Sequence, residues 1–182
     1  SIEIEISQNE EFIDFDMGSS QDEIKNTLIN SGLWNVFRTR PFNRTPNISS
    51  SPEALFINCC DTNPLSVDPY EIINIDKDSF DKGLETIKQL FDCDIHLTYQ
   101  NNNFDNTLSG INYHQFTGPH PAGLVGTHIS KIHPVNLNSK VWTANFQDII
   151  SIGYLKKNKK IKTTKIISLG GPAVFEPSLI KV

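Results

Sequence analysis

The sequence predicts a Rossmann-like α/β sandwich built on a mostly parallel sheet. Three observations carry that prediction. Strand-like and helix-like patterns alternate from Ser20 to about Leu155, and parallel neighbours need crossover connections that are usually helical. Ala54-Leu55-Phe56-Ile57-Asn58-Cys59-Cys60 is a short apolar run, the pattern of a strand buried on both faces. Ser20-Gln21-Asp22-Glu23 is a capping box at the head of an amphipathic segment, with the serine accepting from the third helical N–H and the glutamate reaching back.

Taken in order, Ile2 to Ile6 alternates apolar and acidic residues, as a half-exposed strand does. The helix after Ser20 buries Ile24, Leu28 and Ile29, and Gly32 is placed to end it in a left-handed cap. Leu33 to Phe42 mixes aromatic rings with Arg38 and Arg40. Asn43 to Pro52 is polar and punctuated by proline, hence a loop. The Ala54–Cys60 strand runs into Asp61-Thr62-Asn63-Pro64-Leu65, at the carboxyl end where α/β sheets hold ligands. Asp78-Ser79 opens a second helix, with Phe80, Leu84, Ile87 and Leu90 or Phe91 at helical spacing. Asp94 to Tyr99 and Ile111 to Phe116 read as strands. Val141-Trp142-Thr143 is a short strand, and a helix through Ile149, Ile150 and Ile152 begins at Asn145 or Gln147. Six lysines crowd Lys156 to Lys165, read as a solvated turn, with an anionic membrane surface or an acidic partner as the alternative. Ile166 to Leu169 begins a last strand. Both ends break off within strand patterns, so the 182 residues read as a piece of a longer protein.

Composition limits the function classes. A formal charge of −5 argues against nucleic acid as the main partner, and no apolar run approaches the roughly 18–20 residues that span a bilayer. Cys59, Cys60 and Cys93 fit neither a disulfide framework nor a zinc ribbon and read as buried thiols. Phe116 to Ile129 holds three glycines, two prolines and two histidines in fourteen residues. It could cradle an anion, hold a metal or turn a tight corner. His120, His128 and His133 lie eight and five apart, which matches no standard zinc-ligand pair, so no metal is expected. Gly118, Gly123 and Gly126 match neither a dinucleotide-binding nor a Walker loop. No nucleophile is evident. Arginines among aromatics, as in Trp34 to Phe42, suit a flat or anionic ligand, or else a plain helix-to-strand connection.

Gly32-Leu33-Trp34, Arg38-Thr39-Arg40-Pro41-Phe42, Asp61 to Leu65, Gly118 to Ile129, Val141-Trp142 and Gln147 to Gly153 occur in that order. Together they resemble the NqrA family of the Na+-translocating NADH–quinone reductase over nearly the whole chain. Ser130-Lys131-Ile132 departs from that family's usual continuation. The resemblance implies a peripheral subunit on the cytoplasmic face of a bacterial inner membrane, partnered by the other subunits of the complex, membrane subunits included. That complex uses NADH, ubiquinone and Na+. The resemblance implies no cofactor on this chain and a scaffold role that helps to position quinone. Relatives in the wider superfamily imply a domain plan: residues 1–15 as the tail of a barrel-like region, 16–162 as the α/β middle domain and 163–182 as the start of a β-grasp domain.

On that resemblance, Trp34, Phe37, Arg38, Arg40 and Phe42 are quinone-binding candidates, since a quinone headgroup is flat and carries two acceptors. Asn58 and Asp61 are candidates for a vestigial flavin pocket. Gly118, His120, Pro121, Gly123, Gly126 and His128 form a structural corner towards the neighbouring domain, with the imidazoles orienting hydrogen bonds. A flavin- or NADH-binding electron-transfer module and a purely structural assembly domain are the alternatives.

Overall fold

The computed structural model describes residues 13–105 and 107–182. The expected strand over Ile2 to Ile6 lies outside them. The α/β expectation is met. Helix α1 (Gln21–Asn30) starts at Ser20 with both capping-box bonds formed, and Gly32 adopts φ 78° two residues past its end. A 3₁₀ turn over Leu33–Val36 leads into β1 (Arg38–Arg40). There follow β2 (Ala54–Cys59), α2 (Pro69–Ile75), α3 (Lys77–Leu90), β3 (Asp94–Tyr99), β4 (Asn112–Gln115), α4 (Val125–Ile132), β5 (Val141–Asn145), α5 (Phe146–Asn158), β6 (Ile166–Leu169) and β7 (Ser178–Lys181).

The main sheet has the order β1-β5-β2-β3-β4. β5, β2, β3 and β4 are parallel, and β1 runs antiparallel along β5, with Arg38 opposite Thr143 and Arg40 opposite Val141. The chain moves from β2 outward to β3 and β4, then returns past them to β5 on the other side of β2. The strand order therefore reverses between β2 and β5. β6 and β7 pair as a separate antiparallel ribbon, tied to α5 by Gln147, whose side chain both donates to and accepts from the Ile166 backbone at 2.9 and 3.0 Å.

Strand periodicity sorts the sheet into two unequal faces. Leu55, Ile57, Ile95, Leu97, Trp142 and Ala144 point into the main core with the buried sides of α1, α2, α3 and α5. Phe56 and Val141 point the other way, where α4 packs on them through Ile129, with Val125, Ile132 and Val135 around the rim. The main core depends on close approach of α3 and α5. A Cβ on Gly83 would overlap the Ile149 carbonyl, and one on Gly153 would overlap the Ser79 carbonyl and lie 2.5 Å from the Gly83 nitrogen.

Three local features go beyond the sequence reading. Helix α2 was not foreseen; Asp68 caps it by accepting from the Tyr70 N–H, and Pro69 sits in its first turn. Among the described residues between them, β3 and β4 are joined by turns and extended chain, without a helix. The lysine cluster is not a free turn. Lys156 and Lys157 close α5, and Lys157, Lys159, Lys162 and Lys165 pair with Asp78, Asp16, Asp76 and Asp148. Lys156 donates to the Met17 carbonyl at 2.7 Å. The cluster fastens the chain after α5 onto the helical layer.

Replacing Gly153 with alanine forces backbone overlap between α3 and α5 and is expected to cost about 3 kcal/mol, at the upper end for overpacking. Urea unfolding measures it, and a loss below about 1 kcal/mol would show that the two helices can separate without penalty.

Candidate functional site

The parallel strands bring their carboxyl ends to one edge of the sheet. The Gly118–Leu124 segment folds over that edge. Asn58, at the end of β2, donates to the Gly123 carbonyl at 3.2 Å and accepts from the Cys60 N–H at 3.1 Å and the Thr98 hydroxyl at 3.3 Å. Thr62 accepts from the Gly123 N–H at 2.9 Å, and its hydroxyl faces His120 Nδ1 at 3.3 Å. The Thr62 oxygen accepts the Gly123 N–H, and the direction of its bond to the ring follows the His120 tautomer. A Cβ on Gly123 would lie 2.6 Å from the Thr62 nitrogen, so only glycine fits. Asp61 accepts from the Asn63 backbone and side chain at 2.9 and 2.7 Å.

These contacts locate the predicted structural motif. Gly118, at φ 129°, and the cis His120–Pro121 bond shape the loop. Gly126 and His128 belong to α4, so the latter half of the expected corner is a helix. Within the α/β domain the corner joins β4 to α4, and its partners there are Asn58 and Thr62. Of the two flavin-pocket candidates, the Asn58 amide is engaged with the loop and with Thr98, and one Asp61 oxygen is taken up in its own turn.

His128 is fully buried. Its Nε2–H donates to the Ala122 carbonyl at 2.7 Å, its ring lies 4.1 Å from Phe116, and Nδ1 has no partner among the described residues. His120 is exposed and bonded elsewhere. The three histidines weighed as a metal set are thus not gathered by the fold. A different pair is: His96 Nδ1 and His114 Nε2 stand 3.0 Å apart on adjacent strands, with His96 packed on Phe56. Sequence reasoning missed them, although both occupy the strand positions that face α4. Burial lowers the affinity of His96, His114 and His128 for a proton, and His114 lowers that of His96 further. No group of three or more His, Cys, Asp or Glu among the described residues is arranged to hold a metal. Burial raises the Cys59 thiol and pushes Cys60 up to about 12 and Cys93 to about 11, which keeps all three protonated and unreactive.

The quinone-binding candidates separate. Trp34 and Phe37 are core residues; with Phe91 and Trp142 they form an edge-to-face aromatic box at 5.3–5.8 Å, and the Trp34 indole donates to the Pro46 carbonyl. Neither ring is open to a surface ligand. Phe42 is 59% exposed, with Arg44 over its ring at 6.0 Å. Arg38 and Arg40 project to the α4 side of the sheet. There they line a groove of about 440 Å³ with Asn58, Val125, Thr143 and Asn145. This is the boundary between β2 and β5, where open α/β sheets bind ligands. Thr143 and Asn145 carry no motif of their own; only the strand register places them beside Arg38.

Two outcomes follow. Replacing Thr62 with valine removes the acceptor of the Gly123 N–H; at about 1 kcal/mol for one such bond, exchange of that amide should quicken roughly five- to tenfold, and unchanged exchange would dissociate the loop from Thr62. For pH, His96, His114 and His128 bind protons less readily folded than unfolded. The unfolded chain therefore gains protons first as pH falls below about 6.5. Stability is full above that pH and declines as pH drops towards the lowered folded values. The urea midpoint should fall between pH 7.5 and 5, and fall less in His96→Gln; an unchanged midpoint would show that the imidazoles are hydrated in the folded state.

Known proteins share this α/β unit. A family model described as the NqrA second alpha/beta domain matches residues 19–161. The NqrA protein of the Na(+)-translocating NADH-quinone reductase from Glaesserella parasuis is 42% identical over 164 residues, covering 88% of this chain and 37% of that protein. Its counterpart from Photorhabdus laumondii is 40% identical over 190 residues, 100% of this chain and 42% of its own length. That of Neisseria meningitidis is 42% identical over 164 residues, 89% of this chain and 37% of its own. The chain thus spans about two fifths of the length of these relatives. It belongs to the NqrA family, and residues 19–161 are that family's second α/β domain.

Proposed function

We propose that this chain is the α/β middle part of a peripheral subunit of a Na+-translocating NADH:ubiquinone oxidoreductase. It serves as a scaffold without a redox cofactor of its own and helps to position quinone. The relatives are named for that reductase. The proposed setting is the cytoplasmic face of a bacterial inner membrane, against the other subunits. No helix among the described residues is long and apolar enough to cross a membrane, which fits a peripheral place in such a complex. Residues 163–182 are proposed to open a β-grasp domain; the separate β6–β7 ribbon supports a unit distinct from the main sheet.

The observation that carries the scaffold reading is the Gly118–Leu124 clamp. At the carboxyl end of β2, the protein's own loop takes up the hydrogen-bonding groups of Asn58 and Thr62. The quinone reading narrows to the surface of the Arg38–Phe42 segment. Phe42 offers an aromatic face and Arg44 a guanidinium beside it, a pairing that suits a flat ring with two carbonyl acceptors. Arg38 contributes less, because its Nη1 is engaged with the Asn35 and Phe37 carbonyls and the Thr45 hydroxyl.

In the assembled complex, Phe42→Ala is expected to weaken short-chain quinone binding about five- to tenfold, the loss of one aromatic contact at about 1 kcal/mol, while leaving assembly intact. Unchanged quinone affinity in Phe42→Ala and Arg38→Ala would remove this segment from quinone positioning and leave the scaffold role alone.

A further inference from the structure

We propose that the groove between β1 and α4 is an anion-binding site, in which Arg40 holds the phosphate or carboxylate of a small organic ligand. The first ground is the state of Arg40. It is half-buried on the α4 side of the sheet, its Nε is fully buried without a hydrogen-bond partner, and no acid pairs with it among the described residues. An arginine removed from water without a carboxylate or carbonyl to receive its N–H groups is costly. A bound oxyanion would give the guanidinium charge its missing partner at the Nη groups, because the end of the fork matches a carboxylate or phosphate edge.

The second ground is the charge of the groove. Arg38, Arg40 and Lys165 line it against one carboxylate, Asp148, which Lys165 already neutralises at 2.9 Å. This surplus of positive charge sits in a protein of formal charge −5. All three arginines of the sequence, Arg38, Arg40 and Arg44, fall within seven residues, while thirteen other cations are lysines. Two of the three arginines, Arg38 and Arg40, line this groove.

The third ground is shape. At about 440 Å³ the groove has the size of a small-molecule site. Arg40 also forms the wall of an adjoining space of about 300 Å³ lined by Gly126 and Ser130. Gly126 presents no side chain there, and nothing lies within 4 Å of where its Cβ would be, so the α4 backbone is open to approach. The first turn of α4 carries no acid, which leaves its positive end uncompensated beside Val125. The inference does not rest on the quinone reading, since quinone is uncharged and is assigned to the Phe42 surface.

The test uses the full chain and the arginine Nε–H signals in ¹⁵N-correlated NMR. With three arginines, Arg38→Lys and Arg44→Lys identify the Arg40 signal. Inorganic phosphate is titrated against chloride at equal ionic strength, which holds screening constant. A saturable shift of the Arg40 signal with phosphate and not with chloride is expected, with a rise of several degrees in the thermal midpoint that disappears in Arg40→Gln. A second arm with adenosine monophosphate separates the sources. Tighter binding than phosphate supports the organic ligand, and equal or weaker binding limits the site to the free anion and overturns that assignment. An Arg40 signal that does not move, or moves equally with chloride, overturns it. So does a thermal rise that persists in Arg40→Gln. If that variant does not fold, the wild-type NMR titration decides alone.

Discussion

The close approach of α3 and α5 is the constraint on which the rest of the structure depends. Two glycines, Gly83 and Gly153, let the helix backbones meet, with Ile149 and Ser79 occupying the space that side chains would need. That contact seats Phe80, Leu84 and Ile87 against Ile149, Ile152 and Leu155 over one face of the sheet. Side chains of this kind each contribute about 1.5–3 kcal/mol when buried, so this helical layer carries most of the stability. The Lys157–Asp78 and Lys159–Asp16 pairs add little individually, being largely exposed. Their placement fixes where the chain leaves the layer.

With stability concentrated on one face, the other is only thinly covered. A single eight-residue helix, α4, lies across Phe56 and Val141 through a small apolar contact. Polar and titratable groups tolerated there would be expensive in the main core. His128 is on the buried side of α4, His96 and His114 occupy the strand positions that face it, and Arg38, Arg40, Thr143 and Asn145 line the groove on the same side. The reversal of strand order between β2 and β5 opens the groove on this same side. Fold and charge therefore converge on one region for separate physical reasons, topology for the opening and light packing for the polar lining.

Much of the fold was legible because local rules agreed with the tertiary outcome. The capping box at Ser20, the apolar run at Ala54 and the helical spacing through Phe80 and Ile87 each specify an element without reference to anything distant. Legibility failed where a short segment was decided by its partners. Gly118 to His128 reads as a corner, yet Val125–Ile132 becomes helical because His128 and Ile129 pack inward. Trp34 and Phe37 look like ligand platforms beside arginines, but Phe91 and Trp142 draw them into the interior.

The sequence by itself determined the α/β class, the capped helices, the central buried strand and, through its ordered motifs, the family. These depend on periodicity, caps and residue order, all local or linear properties. The tertiary structure alone decided which residues share a site. His96 and His114 are eighteen positions apart, Asn58 and Gly123 sixty-five, and Arg38 and Thr143 more than a hundred. Strand register and order bring such pairs together, and neither is written in the spacing of the residues that finally meet.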